Sequence, residues 1–504
     1  MNVKRSLSTI STIVALLCFA GETRAQSFFE RVLQENLWNY GIGASGIREG
    51  SLSTGEATLS GTLTKGGFRN AAEGEDQWSV GAQTHAVRHL DKFSMAGGFG
   101  FTQMQGNGMC GPMSIHPGYY PIEVWEFTPG KKTLQSYLVD GAIAVDLSDQ
   151  FRLGGHFTMD SENYSKRKDV RHTNYRLDLE CAGGLMWHLD GFALELDAIL
   201  GKNSESIFAE QVGTAVSSYP AFLDKGQMYG VYELWNGSGI HLSEAGVSGL
   251  PIREMVYGAA LEAGYGKSLF ASLQYRHSSG RAGEKEYIWF EFPGNRLDGI
   301  LAARFGGHTA RLAFQAYSQT NNESVIDKTT SGGITTITRY GTNRILQRDE
   351  ISLTPSYEYD SDLFMVRAYL EIKEQISSAS QMYPYVFEQS LKSVMGGFTG
   401  RLNVGSFEFQ AGLSGGRGWM DERERKVVEI ITGNKPERYA EGYAWMAEYN
   451  TIPRLGASLE ARWYPKNGTA FIGLAGDTFQ ALGAVSALPG ANRTELKLTT
   501  GIEF

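Results

Sequence analysis

The sequence predicts an all-β protein: a transmembrane antiparallel β-barrel of the bacterial outer membrane, with short periplasmic turns and long extracellular loops. Three observations carry this prediction: an amphipathic terminal strand, hairpins in which apolar and polar residues alternate, and an alternation of short and long connections. Successive side chains of a strand point to opposite faces, so an alternating strand has one apolar and one polar face. A barrel wall needs that pattern because its outer face meets lipid and its inner face meets water.

The first 25 residues read as a secretory signal peptide. Lys4 and Arg5 supply its positive charge, and its apolar stretch, residues 10–20, is too short to cross a bilayer as a helix. Small residues predict cleavage near Ala25, which leaves Gln26 as the mature N-terminus. The prediction places the mature chain in the cell outer membrane.

Residues 26–54 are neither strand-like nor strongly helical. Trp38 and Tyr40 are large aromatic side chains that need a surface to pack on, which favours a small plug inside the lumen. A periplasmic tail is the alternative. The barrel itself is predicted over residues 55–504.

The amino-acid composition limits the classes of protein to which the chain can belong. The chain has 62 Gly, 24 Tyr, 26 Phe and 9 Trp but only 13 Pro, which suits many strands with aromatic girdles. No later run of 18 apolar residues exists, which excludes a helical membrane protein. The net charge of -9 argues against nucleic acid as a partner. Cys110 and Cys181 remain after signal removal, and a disulfide between them is possible but not predicted.

Hairpins of one design follow along the chain. Residues 171–189 alternate, turn at Asp190-Gly191, a favoured hairpin dipeptide, and continue in residues 192–200 with the same apolar face. The charged face of these and similar strands predicts side chains that line the lumen: Arg176, Asp178, Glu180, Glu195, Asp197, Arg367, Glu371, Lys373, Glu460 and Arg462. They could form a pore wall of mixed sign, or pair across neighbouring strands and fill the lumen.

The strand count comes from the turns. Short turns are predicted near 91–92, 148–150, 190–191, 267–268, 306–308, 360–362, 404–406 and 450–453. Long connections are predicted near 104–133, 203–226, 236–253, 321–347, 376–390 and 417–437. Eight short turns with both termini in the periplasm give about 18 strands, within a range of 16 to 20.

Two long connections contain side chains that could bind something. Residues 104–116 hold Met104, Met109, Cys110, Met113 and His116, ligand types that suit copper or haem iron, but the spacing matches no metal signature and packing over the barrel mouth is the alternative. Trp235, Asn236, His241 and Glu244 are candidates for recognition of a ligand or partner by an extracellular loop. Ser238, His241 and Glu244 could be assembled into a hydrolase, but Ser238 lacks a nucleophile-elbow context. No cofactor and no enzymatic activity are predicted.

The last strand, residues 494–504, places Leu496, Leu498, Ile502 and Phe504 on one face. An amphipathic terminal strand that ends on Phe is typical of the signal read by the barrel-assembly machinery, which makes that machinery and the outer-membrane lipids expected partners. The alternative is the edge strand of a soluble sandwich.

Four stretches together resemble one known family: KRKDVRHTNYRLD at 166–178, ELWNGSGIHLSEAGVSGLP at 233–251, PGYYPIEVWEFTPGKKTLQ at 117–135 and SSYPAFLDKG at 217–226. The chain resembles a Bacteroidota outer-membrane β-barrel family of unknown function over essentially the whole mature sequence. The resemblance implies the barrel and the outer membrane, and suggests a surface lipoprotein and a TonB-dependent transporter as possible partners.

These observations lead to three functional hypotheses. The first is a channel, or an accessory component of a surface nutrient-uptake complex, with recognition by long extracellular loops. The second is a closed scaffolding or ligand-binding barrel that partners a surface lipoprotein. The third is an outer-membrane hydrolase.

Overall fold

The computed structural model describes residues 18–19, 36–50, 52–168, 170–210, 221–228, 231–234, 241, 246–284, 287–380, 387–424, 436–465 and 469–504. The predicted signal peptide lies outside these residues except for β1, Cys18–Phe19, a two-residue strand parallel to two later strands. Its cleavage near Ala25 stays a prediction.

Eighteen long strands form one closed antiparallel barrel, in which the first pairs with the last through Glu56 opposite Glu503. The strands are β2 (Thr54–Gly66), β3 (Asp76–His89), β4 (Phe93–Pro112), β5 (Glu123–Asp146), β6 (Phe151–Lys166), β7 (Arg171–Leu189), β8 (Phe192–Glu210), β11 (Gly246–Tyr265), β12 (Leu269–Glu284), β13 (Tyr287–Phe305), β14 (His308–Ser331), β15 (Ile334–Asp360), β16 (Phe364–Ala379), β17 (Phe387–Val404), β18 (Phe407–Glu424), β19 (Arg454–Trp463), β20 (Ala470–Ala481) and β21 (Asn492–Glu503). The predicted fold class and strand number are confirmed.

The two faces of the wall differ as the alternation predicts. On β8, Leu196 and Leu200 are 62% and 58% exposed, whereas Glu195 and Asp197 between and beside them are buried. The exposed apolar face is the one that lipid covers, and the buried polar face lines the lumen.

One predicted turn is wrong. Residues 450–453 are not a turn between two barrel strands: they contain the end of a helix, α1 (Pro436–Thr451), and lead directly into β19. The short connection lies instead at 464–469, between β19 and β20, so the number of turns is right although one position is not. No helix in the described part of the chain has both the length and the apolar character needed to cross a membrane.

At the extracellular end, strands continue where loops were predicted. The predicted connection at 104–133 shrinks to residues 113–122, and that at 321–347 is a hairpin that β14 and β15 form up to Gly332-Gly333. Backbone N–H and C=O groups beyond the membrane can still pair with each other, so lipid does not set the length of a strand.

The extracellular half of the lumen contains an apolar core. Two short strands, β9 (Ala221–Asp224) and β10 (Tyr232–Leu234), form an internal hairpin that pairs with the start of β5. Around it, inward side chains such as Trp289, Phe290 and Phe292 are buried at 5% exposure or less. The inner face of the barrel is therefore apolar near the outside of the cell and polar further in.

Candidate functional site in the barrel lumen

Residues 36–50, the inner segment, pack on the inner wall near the periplasmic turns. Two 3-10 helices, Leu37–Tyr40 and Ala44–Glu49, make up most of it. Trp38 is 4% exposed and meets the ring of Phe270 edge-on, with 5.2 Å between ring centroids. The Asn36 side chain accepts a hydrogen bond from the Trp38 amide and so caps the first helix.

Two wall carboxylates hold the backbone of the inner segment. Glu262 accepts from the amides of Ile42 at 2.6 Å and Gly43 at 3.3 Å, and Glu195 accepts from the Ser45 amide at 3.1 Å. Glu195 and Glu262 stand directly opposite each other on β8 and β11. Two like charges in that position repel, and the amides of the inner segment offset the repulsion.

Glycine lets the inner segment approach these acids closely. A Cβ atom at Gly41 would lie 2.2 Å from an oxygen of Glu262, and one at Gly43 would lie 2.3 Å from an oxygen of Glu195. The backbone approaches the wall closely because neither position has a side chain.

The inner segment reaches across a large part of the barrel. Arg48 donates to the Ser94 hydroxyl on β4 at 3.3 Å, while the ring of Tyr40 lies 5.1 Å from the Arg311 guanidinium on β14. Those two strands are eight positions apart in the ring of 18, close to half the circumference. Ion pairs of Arg48 with Asp146 at 2.7 Å and of Arg152 with Glu49 at 2.8 Å strengthen the attachment.

A second segment crosses the lumen on the extracellular side of the inner segment. Residues 113–122, the crossing loop, leave β4 and pass through the lumen before β5. The Tyr119 hydroxyl donates to Glu254 on β11 at 2.6 Å, and Arg348 on β15 donates to the Gly118 carbonyl at 2.8 Å. Because β15 is eight strands from β5, the loop spans the lumen and does not merely line it. Burial, and then the charge of Glu254, raise the pKa of Tyr119 above its ordinary value, so its hydroxyl keeps the proton that it donates.

A charged cluster surrounds the tip of the crossing loop. Arg176 donates to Glu162 at 2.8 Å and to Asp178 at 2.6 Å, and His116 is 2.7 Å from Glu162. His116, Asp160 and Glu162 bring possible metal-ligand atoms within 4.8 Å of one another. The Arg176 guanidinium occupies this cluster, being 3.8 Å from Asp160 and 3.2 Å from the His116 ring, so a cation is already supplied by the chain.

The other predicted lumen residues lie on the inward face, and most have partners. Glu180 pairs with Arg276 of β12 at 3.0 Å. Three pairs unite a predicted residue with its neighbour in the wall: Arg367 Nε with Glu358 at 2.7 Å, Lys373 with Glu350 at 2.8 Å, and Arg462 with Glu460 at 2.7 Å. Glu371 is half-buried. Asp197 differs: it is 2% exposed, and neither of its carboxylate oxygens has a hydrogen-bond partner among the described residues.

A cavity of about 450 Å³, the outer chamber, lies beside the crossing loop. Arg348, Lys373 and Gln389 of the wall face it together with Tyr443 of α1, whose hydroxyl accepts from Gln389 at 2.8 Å.

The turn of the internal hairpin also borders the outer chamber. Gln227 and Met228 have φ of 52° and 66°, a strained conformation for residues other than glycine. The Asp224 carboxylate stabilises the turn by accepting from the amides of Gly226 and Met228. Burial raises the pKa of Asp224 to about 8.

The predicted recognition residues do not form an exposed site in the described structure. His241 is 6% exposed, its ring centroid lies 5.1 Å from that of Trp289 and 4.9 Å from that of Phe290, and its imidazole pairs with Glu233 at 2.7 Å. Trp235, Asn236, Ser238 and Glu244 lie outside the described residues, so the recognition site and the hydrolase stay predictions. No local pattern predicts that His241 is buried, because its partners come from β10 and β13.

The structure also places residues 104–116, which hold the possible copper or haem-iron ligands, differently from the prediction. Met104 to Pro112 belong to β4, and only the last residues of the stretch are in a loop. Met109, Cys110 and Met113 are buried in the packed extracellular end, whereas His116 pairs with Glu162. Cys110 and Cys181 are both free thiols.

Sequence reasoning missed the side chains that fix the two obstructions. Glu262, Glu254 and Arg348 carry no local motif, and each acts on a segment more than 130 residues away. The glycines at 41 and 43, close to two aromatic residues, were the one local sign that a backbone approaches a wall here.

Comparisons with known proteins give a family and a group of similar folds. Residues 46–504 match the model of a family described as a family of unknown function (DUF6850). No match is found among curated proteins. Similar solved structures include the FrpB iron transporter of Neisseria meningitidis in its apoprotein form (TM-score 0.44, 10% identity, 92% of this chain and 83% of that chain). They also include BauA, the ferric preacinetobactin receptor of Acinetobacter baumannii (TM-score 0.41, 8% identity, 89% and 80%), and a double mutant of the ferric enterobactin receptor of Pseudomonas aeruginosa (TM-score 0.43, 9% identity, 90% and 81%).

Proposed function

The chain belongs to this family of unknown function, and we propose that it is an obstructed uptake channel of the outer membrane. In this proposal the inner segment is a small plug that must leave the wall before a solute can pass to the periplasm. The proposal combines the channel hypothesis with the plug that the sequence favoured for residues 26–54.

One observation carries the proposal: the inner segment is attached to the wall by side-chain contacts and not by strand pairing. Its central amides are held by Glu195 and Glu262, and its C-terminal end by the ion pairs of Arg48 with Asp146 and of Glu49 with Arg152. Its apolar contacts with the wall are made by Leu37, Trp38 and Tyr40 in one cluster and by Ile42 in another. A short segment held in this way can detach without unfolding the barrel, because the barrel strands pair with one another and not with the segment.

The test is conductance of the purified full-length mature protein in planar bilayers, compared with a variant that lacks residues 36–50. We expect few openings of the intact protein and more frequent openings of the deletion variant, in which the crossing loop still spans the lumen. The matched control replaces the exposed tip residue Tyr340 by Ala, which leaves the lumen untouched. Two identical conductance records, from intact protein and deletion variant with equally folded barrels, would refute the plug.

A ligand-binding role is the second candidate, and the outer chamber favours it. Strained residues tend to gather at ligand sites, and the strained turn at Gln227 and Met228 borders this cavity. The chamber could hold a solute before transport or make the protein a closed binding barrel. A surface lipoprotein and a TonB-dependent transporter stay proposed partners, and the Bacteroidota origin stays a prediction from the sequence resemblance.

A further inference from the structure

We propose that the barrel passes positively charged solutes, because its inner wall carries an excess of carboxylates on one side. This inference rests on the proposed function and names the class of its cargo. It depends on six inward-facing residues, the acidic arc: Asp140 of β5, Asp160 of β6, Asp178 and Glu180 of β7, Asp197 of β8 and Glu254 of β11.

Four members of the acidic arc project into the lumen between the crossing loop and the inner segment. The side chains of Asp140, Asp160, Asp178 and Glu180 are between 29% and 37% exposed. They lie on three successive strands, with Asp160 directly opposite Asp178 in the register of β6 and β7. Carboxylates placed opposite each other repel unless a cation lies between them.

The cations of this side of the wall are too few to neutralise it. Arg176 is shared by Glu162, Asp178 and Asp160, and Arg276 is shared by Glu180 and Asp298. Arg296 also pairs with Asp298, at 2.8 Å, so three guanidinium groups serve five carboxylates, and the described basic partner of Asp140 is a histidine, His85, at 3.6 Å.

Asp197 supplies an independent observation. It is 2% exposed, and neither of its side-chain oxygens has a hydrogen-bond partner among the described residues. The wall therefore buries this acid without the contacts that would stabilise its charged form. When the inner segment leaves, its amides release Glu195 and Glu262, and all three carboxylates then face the opened lumen.

The opposite side of the wall carries balanced ion pairs. On β15, β16 and β19 three inward acids pair with neighbouring bases: Glu350 with Lys373, Glu358 with Arg367 and Glu460 with Arg462. A passage with one acidic side and one balanced side attracts cations and repels anions.

The test uses the variant that lacks residues 36–50, in planar bilayers under a gradient of potassium chloride. The reversal potential gives the permeability of potassium relative to chloride, and we expect a preference of about tenfold for the cation. Asp160→Asn, Asp178→Asn and Glu180→Gln combined should bring the ratio close to unity. The control, Glu358→Gln with Arg367→Met, removes one matched pair outside the outer chamber and should leave the ratio unchanged. A conducting variant with no preference, or with a preference for chloride, would overturn the inference and leave the channel proposal standing.

A second measurement does not require the channel to open. Titration calorimetry of the intact protein with spermidine should show saturable binding that the triple substitution weakens about tenfold, as expected if the exposed carboxylates attract the polycation. If the deletion variant is silent, the channel proposal fails, and calorimetry alone decides whether the acidic arc binds cations. Absence of spermidine binding, or equal binding by the triple variant, would then refute the arc as a cation site.

Discussion

Truncation of Trp38 should detach the inner segment while the barrel stays folded. Trp38 is 4% exposed and is the largest side chain that fixes this segment to the wall. Replacing a buried Trp by Ala costs about 3–5 kcal/mol. Each 1.4 kcal/mol is about a factor of ten in an equilibrium constant. The detached fraction should therefore rise on the order of a hundredfold to a thousandfold.

Hydrogen exchange of the reconstituted protein measures that fraction directly. The amides of Ile42, Gly43 and Ser45 are hydrogen-bonded to wall carboxylates, so they exchange when the segment detaches. Trp38→Ala should speed their exchange by the same factor and leave the barrel strands protected. Trp419→Ala is the matched control, because Trp419 is 43% exposed on the outer face.

Two results would refute this reasoning. If exchange at these three amides changes by less than a few fold, packing of Trp38 does not hold the segment in place. If exchange rises as expected but channel openings do not become more frequent, the segment is attached to the wall without obstructing the passage.

Four further predictions follow from particular contacts. Gly43→Ala should also loosen the inner segment, because the new Cβ atom would lie 2.3 Å from an oxygen of Glu195. Gly50→Ala is the control, since its new Cβ atom would have no neighbouring atom nearer than 3.3 Å. Hydrogen exchange at the Ser45 amide should be faster in the first variant alone. Glu126→Gln should destabilise the barrel by about 3–5 kcal/mol in thermal unfolding, because it leaves the fully buried Lys132 and Lys166 without their shared carboxylate; Glu374→Gln, in the exposed pair with Lys392, should cost less than about 1 kcal/mol. Asp224 has a folded-state pKa of about 8, above its value of about 3.9 in an unfolded chain, so the folded state binds the extra proton and stability should fall as pH rises between these values; a melting temperature that is equally pH-dependent in Asp224→Asn would contradict the assignment. Phe504→Ser should lower the yield of barrel assembled in the outer membrane without changing its melting temperature, whereas Phe305→Ser, at the same exposure of 65% on the lipid face, should assemble normally.

The barrel wall could be predicted because lipid imposes a simple rule on it. Within the membrane every outward residue must be apolar and every backbone group must be paired, so β7 and β8 show the alternation plainly in sequence. The Asp190-Gly191 turn marks their junction, and repetition of that design gives the strand number. The same alternation of side chains along a strand predicts that Arg176, Glu195 and Arg462 face the lumen.

This rule applies only to the part of each strand that lipid surrounds. Beyond the membrane β14 and β15 continue as a hairpin, and inward positions such as Phe290 and Phe292 become apolar because loops fold onto them. Neither local periodicity nor turn residues mark that change. The predicted loops at 104–133 and 321–347 are therefore too long at both ends, and the sequence does not predict α1.

The sequence by itself determined the closed wall, its number of strands and which residues face inward, since these depend on contacts between neighbours in a hairpin. The tertiary structure decided what occupies the lumen. Glu262 holds Ile42 across 220 residues, and Arg348 holds Gly118 across 230. Such contacts form only after the barrel has closed and brought distant strands face to face, so no pattern within either segment records them.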